Sequence, residues 1–374
     1  MVPQSYYRCW VEVDLDALRH NVAGIRRRIG PATKLMAVVK ADAYGHGLHH
    51  IGAELMKAGV DAFAVATLSE ALTLRQVGGT GWPILLFGSA LPFEVAKMVE
   101  QNIMPTISTL DEARMFDEEA RVAGKRVGVH IEVDTGMGRV GFWHEEAAEH
   151  IREVAGLANL HVAGLFTHFP SADENLDETK RELESFLLLT RPFNIPLLHA
   201  ANSAGLLNLP AAHLNMVRPG LLLYGIVPES CDAPEFRPLL SFKARVAFVK
   251  HVAAGRTISY GQTFVAPAAM RIATVTAGYS DGFSRTLSNN AEVLIAGQRC
   301  RVVGRVTMDQ IMVDVTGVAD VRTGDEVVFI GRQGNEEITA TEVAGWEHTI
   351  PWEVLCGITK TGRVPRVYLG TAAA

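Results

Sequence analysis

The sequence predicts an α/β plus β protein: an N-terminal (β/α)8 TIM-like barrel over residues 10–238, then a mainly β domain over residues 239–374. Three observations carry this expectation. Eight short apolar runs alternate with segments of helical period between residues 34 and 225, the period turns strand-like after about residue 239, and 374 residues suffice for two separate cores.

The apolar runs are KLMAVVK (34–40), DAFAVAT (61–67), PILLFG (83–88), IMPTIS (103–108), VGVHIEV (127–133), VAGLFTH (162–168), LLHAANS (197–203) and VRPGLLLYG (217–225). Helical stretches lie between them at 54–58, 69–77, 110–123, 145–156 and 177–190, several opening on a Ser, Thr or Asp cap. Eight strands with seven helices fit a closed barrel better than an open doubly wound sheet, which is the alternative. Beyond residue 239, alternating runs such as SFKARVAFVKHV, RIATVTAGY and AEVLIAG are punctuated by Gly and Asn, as β hairpins are.

Composition excludes several functions. With 35 basic against 41 acidic residues the net charge is −6, which argues against nucleic acid and anionic membrane partners. No apolar stretch approaches the roughly 18 residues that span a bilayer, and MVPQSYYRCWVEVD lacks the features of a signal peptide, so a cytoplasmic location is expected. Cys9, Cys231, Cys300 and Cys356 are scattered, giving neither a disulfide framework nor a thiolate metal site. No metal is expected. The run Arg26 to Arg28 reads as a helix C-terminus complementing the dipole.

In a (β/α)8 barrel the chemistry sits where strands end at their C-terminal side. Polar residues at those positions are Lys40, Arg139, His168, Asn202, Ser203 and Arg218, with Gly220 just beyond, a set suited to an anionic ligand. A strand-terminal Lys is ordinarily solvated. At a dry barrel mouth, however, it can lose its proton and form a Schiff base with an aldehyde cofactor. GMGRVG (136–141) matches a dinucleotide-binding fingerprint, yet the next strand ends FTHF with no acid for a ribose, which weakens that reading. His46, His49 and His50 lack the spacing of a zinc site, and GYSDGF (278–283) by itself is a β-turn.

Nearly end to end, the chain resembles the bacterial alanine racemases. The motifs that carry the resemblance are AVVKADAYGHG, VDTGMGRVGF, THFPSADE, HAANSAG, VRPGLLLYG, SYGQTF, GYSDGFSR, VGRVTMDQIMVDV and RVPRVY. It implies a pyridoxal phosphate enzyme that interconverts L- and D-alanine as a homodimer. Lys40 resembles the lysine that carries the cofactor as a Schiff base, and Tyr279 the second base, donated by the other subunit. His168 resembles the histidine linking Tyr279 to Arg218, and Arg218 the partner of the pyridine nitrogen. Tyr44, Ser203 and the backbone N–H groups of Gly220 and Leu221 resemble the phosphate site, which Asn202 supports. Arg139 resembles the arginine that touches the cofactor and the substrate carboxylate, and Met308 and Asp309 resemble substrate-side residues of the second subunit.

Two departures from the family pattern are informative. Many relatives carry a carbamylated Lys seven residues before the arginine, where this chain has Glu132; we expect Glu132 to supply the orienting negative charge directly. Some relatives place a Tyr just before RVPR, where this chain reads CGITKTGRVPR, leaving room for side chains larger than that of alanine, such as serine. Competing readings are a broader amino-acid racemase, a barrel-type decarboxylase of basic amino acids and a non-catalytic pyridoxal phosphate carrier. The resemblance leaves open whether D-alanine is made for peptidoglycan precursors or L-alanine is degraded.

Overall fold

Apolar strands followed by amphipathic helices have one compact solution when every strand runs the same way, and eight of them here close into a ring. In ring order the strands are Lys34–Val38, Ala62–Val65, Ile84–Ser89, Met104–Ile107, Val127–Asp134, Leu160–Phe166, Leu197–His199 and Met216–Val217, all parallel. The ring shuts where Met216 pairs with Lys34. All four residues of Ala62–Val65 are buried, as expected of strands covered on both faces.

This computed structural model describes residues 6–370. They fall into two units. Ala17–Ala43 with Leu48–Arg237 forms the barrel unit, and, among the described residues, 6–16, Tyr44–Gly47 and 238–370 form a β unit.

The helices Leu68–Gly78 and Leu110–Val122 open with the same T-L-x-E signature, and both make a reciprocal capping box, Thr67 with Glu70 and Thr109 with Glu112. The helix expected at 54–58 spans Leu48–Lys57 instead. Its cap lies outside the periodic window, because Asp42 Oδ1 accepts the Leu48 N–H at 2.7 Å. The last two strands are shorter than their apolar runs. Asn202 turns LLHAANS into the cap of the helix Ser203–Asn208, and Pro219 cannot donate to a ladder, so Leu221–Tyr224 becomes a 3-10 turn.

The β unit is organised on the 13-residue strand Leu240–Val252, which pairs antiparallel with Cys9–Asp14, Met270–Val275 and Glu326–Gln333. Cys9–Asp14 also runs parallel to Arg366–Leu369. This corrects the expected start of the barrel at residue 10: CWVEVD alternates large apolar and acidic residues and completes the β sheet. The helices Ala340–Glu347 and Pro351–Ile358 also belong to this unit. Its core includes the rings of Phe242, Phe283 and Phe329, with Phe329 centred 4.8 Å from each of the other two.

Gly282 ends the turn Tyr279–Asp281 at φ +92°, where a Cβ would stand 2.3 Å from Ile358 Cα. Gly317 has ordinary dihedrals and open space. We therefore expect Gly282→Ala to destabilise the protein by about 3 kcal/mol and Gly317→Ala by less than about 0.5 kcal/mol in urea unfolding. Equal midpoints for the two variants would contradict this account of the turn.

Candidate active site

The first barrel strand delivers Lys40. Val39 N–H still bonds to Ala64 O at 2.9 Å, and then the backbone reverses hand. Ala41, Asp42, Ala43 and Tyr44 all lie at φ between 53° and 55°, a left-handed turn closed by Ala43 N–H on Val39 O at 3.0 Å. Such a conformation costs an L-residue about 1–2 kcal/mol each, and no glycine relieves it. Tyr44 ends the turn buried within the β unit, where burial and the neighbouring Cys356 push its phenol above the ordinary range.

Arg218, just after the last strand, is buried and makes no ion pair among the described residues. Its Nη1 lies 3.0 Å from His199 Nδ1; its Nη2 donates to Thr167 O at 2.9 Å and lies 3.4 Å from His168 Nδ1. Phe166 and Phe87 flank the guanidinium at 5.2 and 5.7 Å, and Phe166 stacks on the His199 ring. A guanidinium only donates, so both histidines must present a bare Nδ1 and carry hydrogen on Nε2. His199 Nε2–H then donates to His130 Nδ1 at 2.8 Å.

These histidines are neutral at pH 7. Burial and the Arg218 charge hold His130 and His168 down at about 3 and His199 well below its ordinary value. Burial also lowers Arg218, to about 10, with Glu132 opposing the shift. Positive charge in this hydrogen-bonded cluster therefore resides on Arg218. His168 was anticipated as its partner; His199 and His130 were not. Each interrupts an apolar strand with a buried polar ring, a position that demands a hydrogen-bond partner.

Beside this hub, the Ser203 hydroxyl oxygen accepts the N–H groups of Gly220 and Leu222 at 3.1 and 3.2 Å. The N–H groups expected to face a phosphate are those of Gly220 and Leu221, beside this hydroxyl. Asn202 accepts Gly205 N–H at 2.9 Å and donates to Phe169 O at 3.3 Å, which fixes the helix that presents Ser203.

The loop after Val127–Asp134 is knotted by the Asp134 carboxylate, which accepts the N–H groups of Gly136 and Gly138 at 2.9 and 2.8 Å. Arg139 follows, exposed and without an ion pair among the described residues, so the expected direct pairing with Glu132 is not made. Glu132 is buried two residues before Asp134 in the same strand. Burial raises its carboxyl to about 7 against the opposing charges of Arg218 and Arg139.

In the β unit Tyr279 is 42 % exposed and Met308 52 %. Their segments are stitched together by Tyr279 N–H on Thr307 O at 3.0 Å and by Ser280 Oγ on Met308 O at 2.7 Å. Asp309 pairs with Arg363 at 2.8 Å and accepts from Ser280 at 3.3 Å. His46 is buried, with Nδ1 2.9 Å from Tyr44 O, and His49 and His50 are exposed. Among the described residues no cluster of three or more His, Cys, Asp or Glu could hold a metal ion, and no helix is long and apolar enough to cross a membrane.

The donor set of the barrel unit fits pyridoxal phosphate. A buried, donor-only guanidinium suits an acceptor-only pyridine nitrogen, a strand-end amine suits an aldehyde, and a hydroxyl clustered with backbone N–H groups suits a phosphate. Barrel, lysine and β unit together define a class of cofactor-dependent amino-acid enzyme. The chain belongs to the alanine racemase family: residues 13–228 match the model of the alanine racemase N-terminal domain and residues 239–368 that of the C-terminal domain.

It is 44 % identical to the alanine racemase of Symbiobacterium thermophilum over 97 % of this chain and 98 % of that one. The alanine racemase structure from Clostridium difficile 630 superimposes with a TM-score of 0.91 at 36 % identity, covering 97 % of this chain and 96 % of that one. The Bartonella henselae alanine racemase structure, described with covalently bound pyridoxal phosphate, gives 0.89 at 26 % identity over 97 % and 100 %.

Three histidines neutral in the fold and protonatable when unfolded link stability to pH. Their folded values are depressed, so the stability they contribute is present above about 6.5 and is lost as pH falls toward about 3. Each adds a slope of up to about 1.4 kcal/mol per pH unit in that window. His130→Gln keeps an acceptor for His199 but does not titrate, so its unfolding free energy should fall less steeply between pH 6.5 and 4. Parallel curves would overturn the neutral assignment of His130.

Proposed function

We propose that the protein interconverts L-alanine and D-alanine by a two-base reaction. The observation that carries this reading is Arg218, a buried cation at the strand ends that donates to the neutral His168 while meeting no carboxylate in ion-pair reach. Pyridoxal phosphate, when bound, withdraws electrons from the α-carbon of an amino acid and acidifies its C–H bond. Arg218 gives the ring nitrogen a hydrogen bond without a readily transferable proton, which tempers that withdrawal and favours return of a proton to carbon. A carboxylate there would strengthen the sink, as decarboxylation of basic amino acids prefers.

Inversion needs a base on each face of the α-carbon, since one fixed base returns the proton to the face it left. Lys40 Nζ serves one face. Tyr279 of a second copy serves the other, and the exposure of Tyr279 and Met308 supports their contact with a partner subunit. His168, its hydrogen held on Nε2 by Arg218, donates to the Tyr279 oxygen and stabilises its deprotonated form. Arg139 and the Met308 N–H bind the substrate carboxylate, with Asp309 nearby. Ser203, Gly220, Leu221 and Tyr44 hold the cofactor's phosphate, and Asn202 fixes the helix presenting Ser203.

Glu132 acts by charge on Arg218 and Arg139 together, consistent with the opposing pull both exert on its carboxyl. It takes the place of a carbamylated lysine, so activity should not respond to bicarbonate, and Glu132→Ala should lower kcat about tenfold or more, roughly 1.4 kcal/mol in the barrier. An unchanged kcat in that variant sinks the role.

The reading itself is tested by a chiral time course with L-alanine, L-serine and L-lysine on the wild type, Lys40→Ala and Tyr279→Phe. D-Alanine should form fastest, with no amine release, and both variants should be severely impaired. Mixed and reassembled at equal amounts, the two variants should recover about a quarter of wild-type activity, because half of the dimers are mixed and each has one intact site. No recovery would refute sharing of the site between subunits. The absence of a Tyr before RVPR favours a second reading, a broader racemase, and faster inversion of serine would select it.

A further inference from the structure

The Glu70 side chain braces the left-handed turn behind Lys40 from outside. Asp42 N–H donates to Glu70 Oε1 at 3.3 Å, while Glu70 Oε2 accepts the N–H groups of Ala66 and Thr67 at 3.0 and 3.2 Å. The bonds to Oε2 complete the cap of the helix Leu68–Gly78. The bond to Asp42 does nothing for that cap. It ties the segment after the first barrel strand to the segment after the second, two strands already paired in register at Val38 and Ala64.

On its other side the turn is fixed by Asp42 Oδ1, which accepts Leu48 N–H. Asp42 is thus clamped through both its backbone and its side chain. Ala41 and Ala43 have no intrinsic preference for the left-handed region and Asp only a modest one, so the conformation persists because its surroundings impose it. Were the brace released, the backbone would relax toward right-handed dihedrals at the residue following Lys40, and the direction in which the lysine leaves the strand would change.

We propose that Glu70 is a positioning residue for Lys40: by bridging Asp42 to the Ala66–Thr67 turn it maintains the left-handed segment that aims the lysine amine. The proposal rests on the racemase reading for the task it assigns to Lys40.

The competing explanation, that Glu70 only caps a helix, is separable. Thr67→Ala removes the hydroxyl that accepts Glu70 N–H and leaves the carboxylate in place. Glu70→Gln has a single acceptor oxygen and cannot serve the cap and Asp42 together. Both variants and the wild type, loaded with pyridoxal phosphate, are compared by melting temperature, by kcat and KM for L-alanine, and by the pH midpoint of the bound cofactor's visible absorption.

Thr67→Ala should melt earlier with kcat and midpoint within about twofold and about 0.2 pH unit of wild type. Glu70→Gln should lose about tenfold in kcat with KM little changed, and its midpoint should move by about half a unit or more. Adding Ala41→Gly, which removes the left-handed penalty, should restore much of the loss. If Glu70→Gln matches Thr67→Ala in kcat and midpoint, the brace has no catalytic role and the proposal fails. If Glu70→Gln does not fold, Glu70→Asp, a methylene too short to bridge, takes the same test. A wild type that inverts no alanine while its midpoint still responds to Glu70→Gln would remove the racemase reading and keep the brace.

Discussion

A buried guanidinium with no ion-pair partner imposes its hydrogen-bond polarity on everything around it. Arg218 has only donors, so Thr167 must offer a carbonyl and His168 and His199 must each offer a lone pair. That choice propagates: His199 becomes a donor on its far side, and His130 must accept. Space is fixed along with polarity, since a Cβ on Gly164 would stand 2.5 Å from His130 Nδ1. Four of the eight barrel strands thus converge on a single charge, and three imidazoles remain uncharged because a second cation beside the first is too costly in a dry interior.

The eight barrel strands were legible because burial on both faces leaves continuous apolar runs, and the residues at their ends followed from the geometry of such barrels. The N-terminal strand Cys9–Asp14 was not legible, because its neighbours come from Leu240–Val252 and Arg366–Leu369. Pairing at that separation leaves no local mark. The turn at residues 41–44 was hidden for the opposite reason. Its alanines signal right-handed helix, and the bonds that help to impose the other hand, from Asp42 N–H to Glu70 and from Leu48 N–H to Asp42, come from residues outside the turn's own sequence.

His130 and His199 show a third kind of limit. Their position inside apolar strands flags an unusual environment, but which nitrogen bonds to what depends on Arg218, whose own place is set by the last strand. Glu132 was legible as a departure in sequence, and its relation to Arg139 was not. The loop between them is closed on itself by Asp134, so the carboxyl faces the charge of Arg218 as well as that of Arg139, and no direct ion pair forms.

The chain enters the β sheet, leaves to build the barrel, and returns to finish the sheet around the strand it left behind. During synthesis this sets an order. Cys9–Asp14 emerges first but has no neighbour until Leu240–Val252 has been made and none on its other side until Arg366–Leu369 follows. At ~5–20 residues per second that interval lasts for tens of seconds. The barrel unit can condense in that time, whereas the first strand must wait with both edges open. A cell making this protein quickly would therefore have to shield this short strand ahead of the barrel in each nascent chain, and crowded ribosomes would be where two such strands meet.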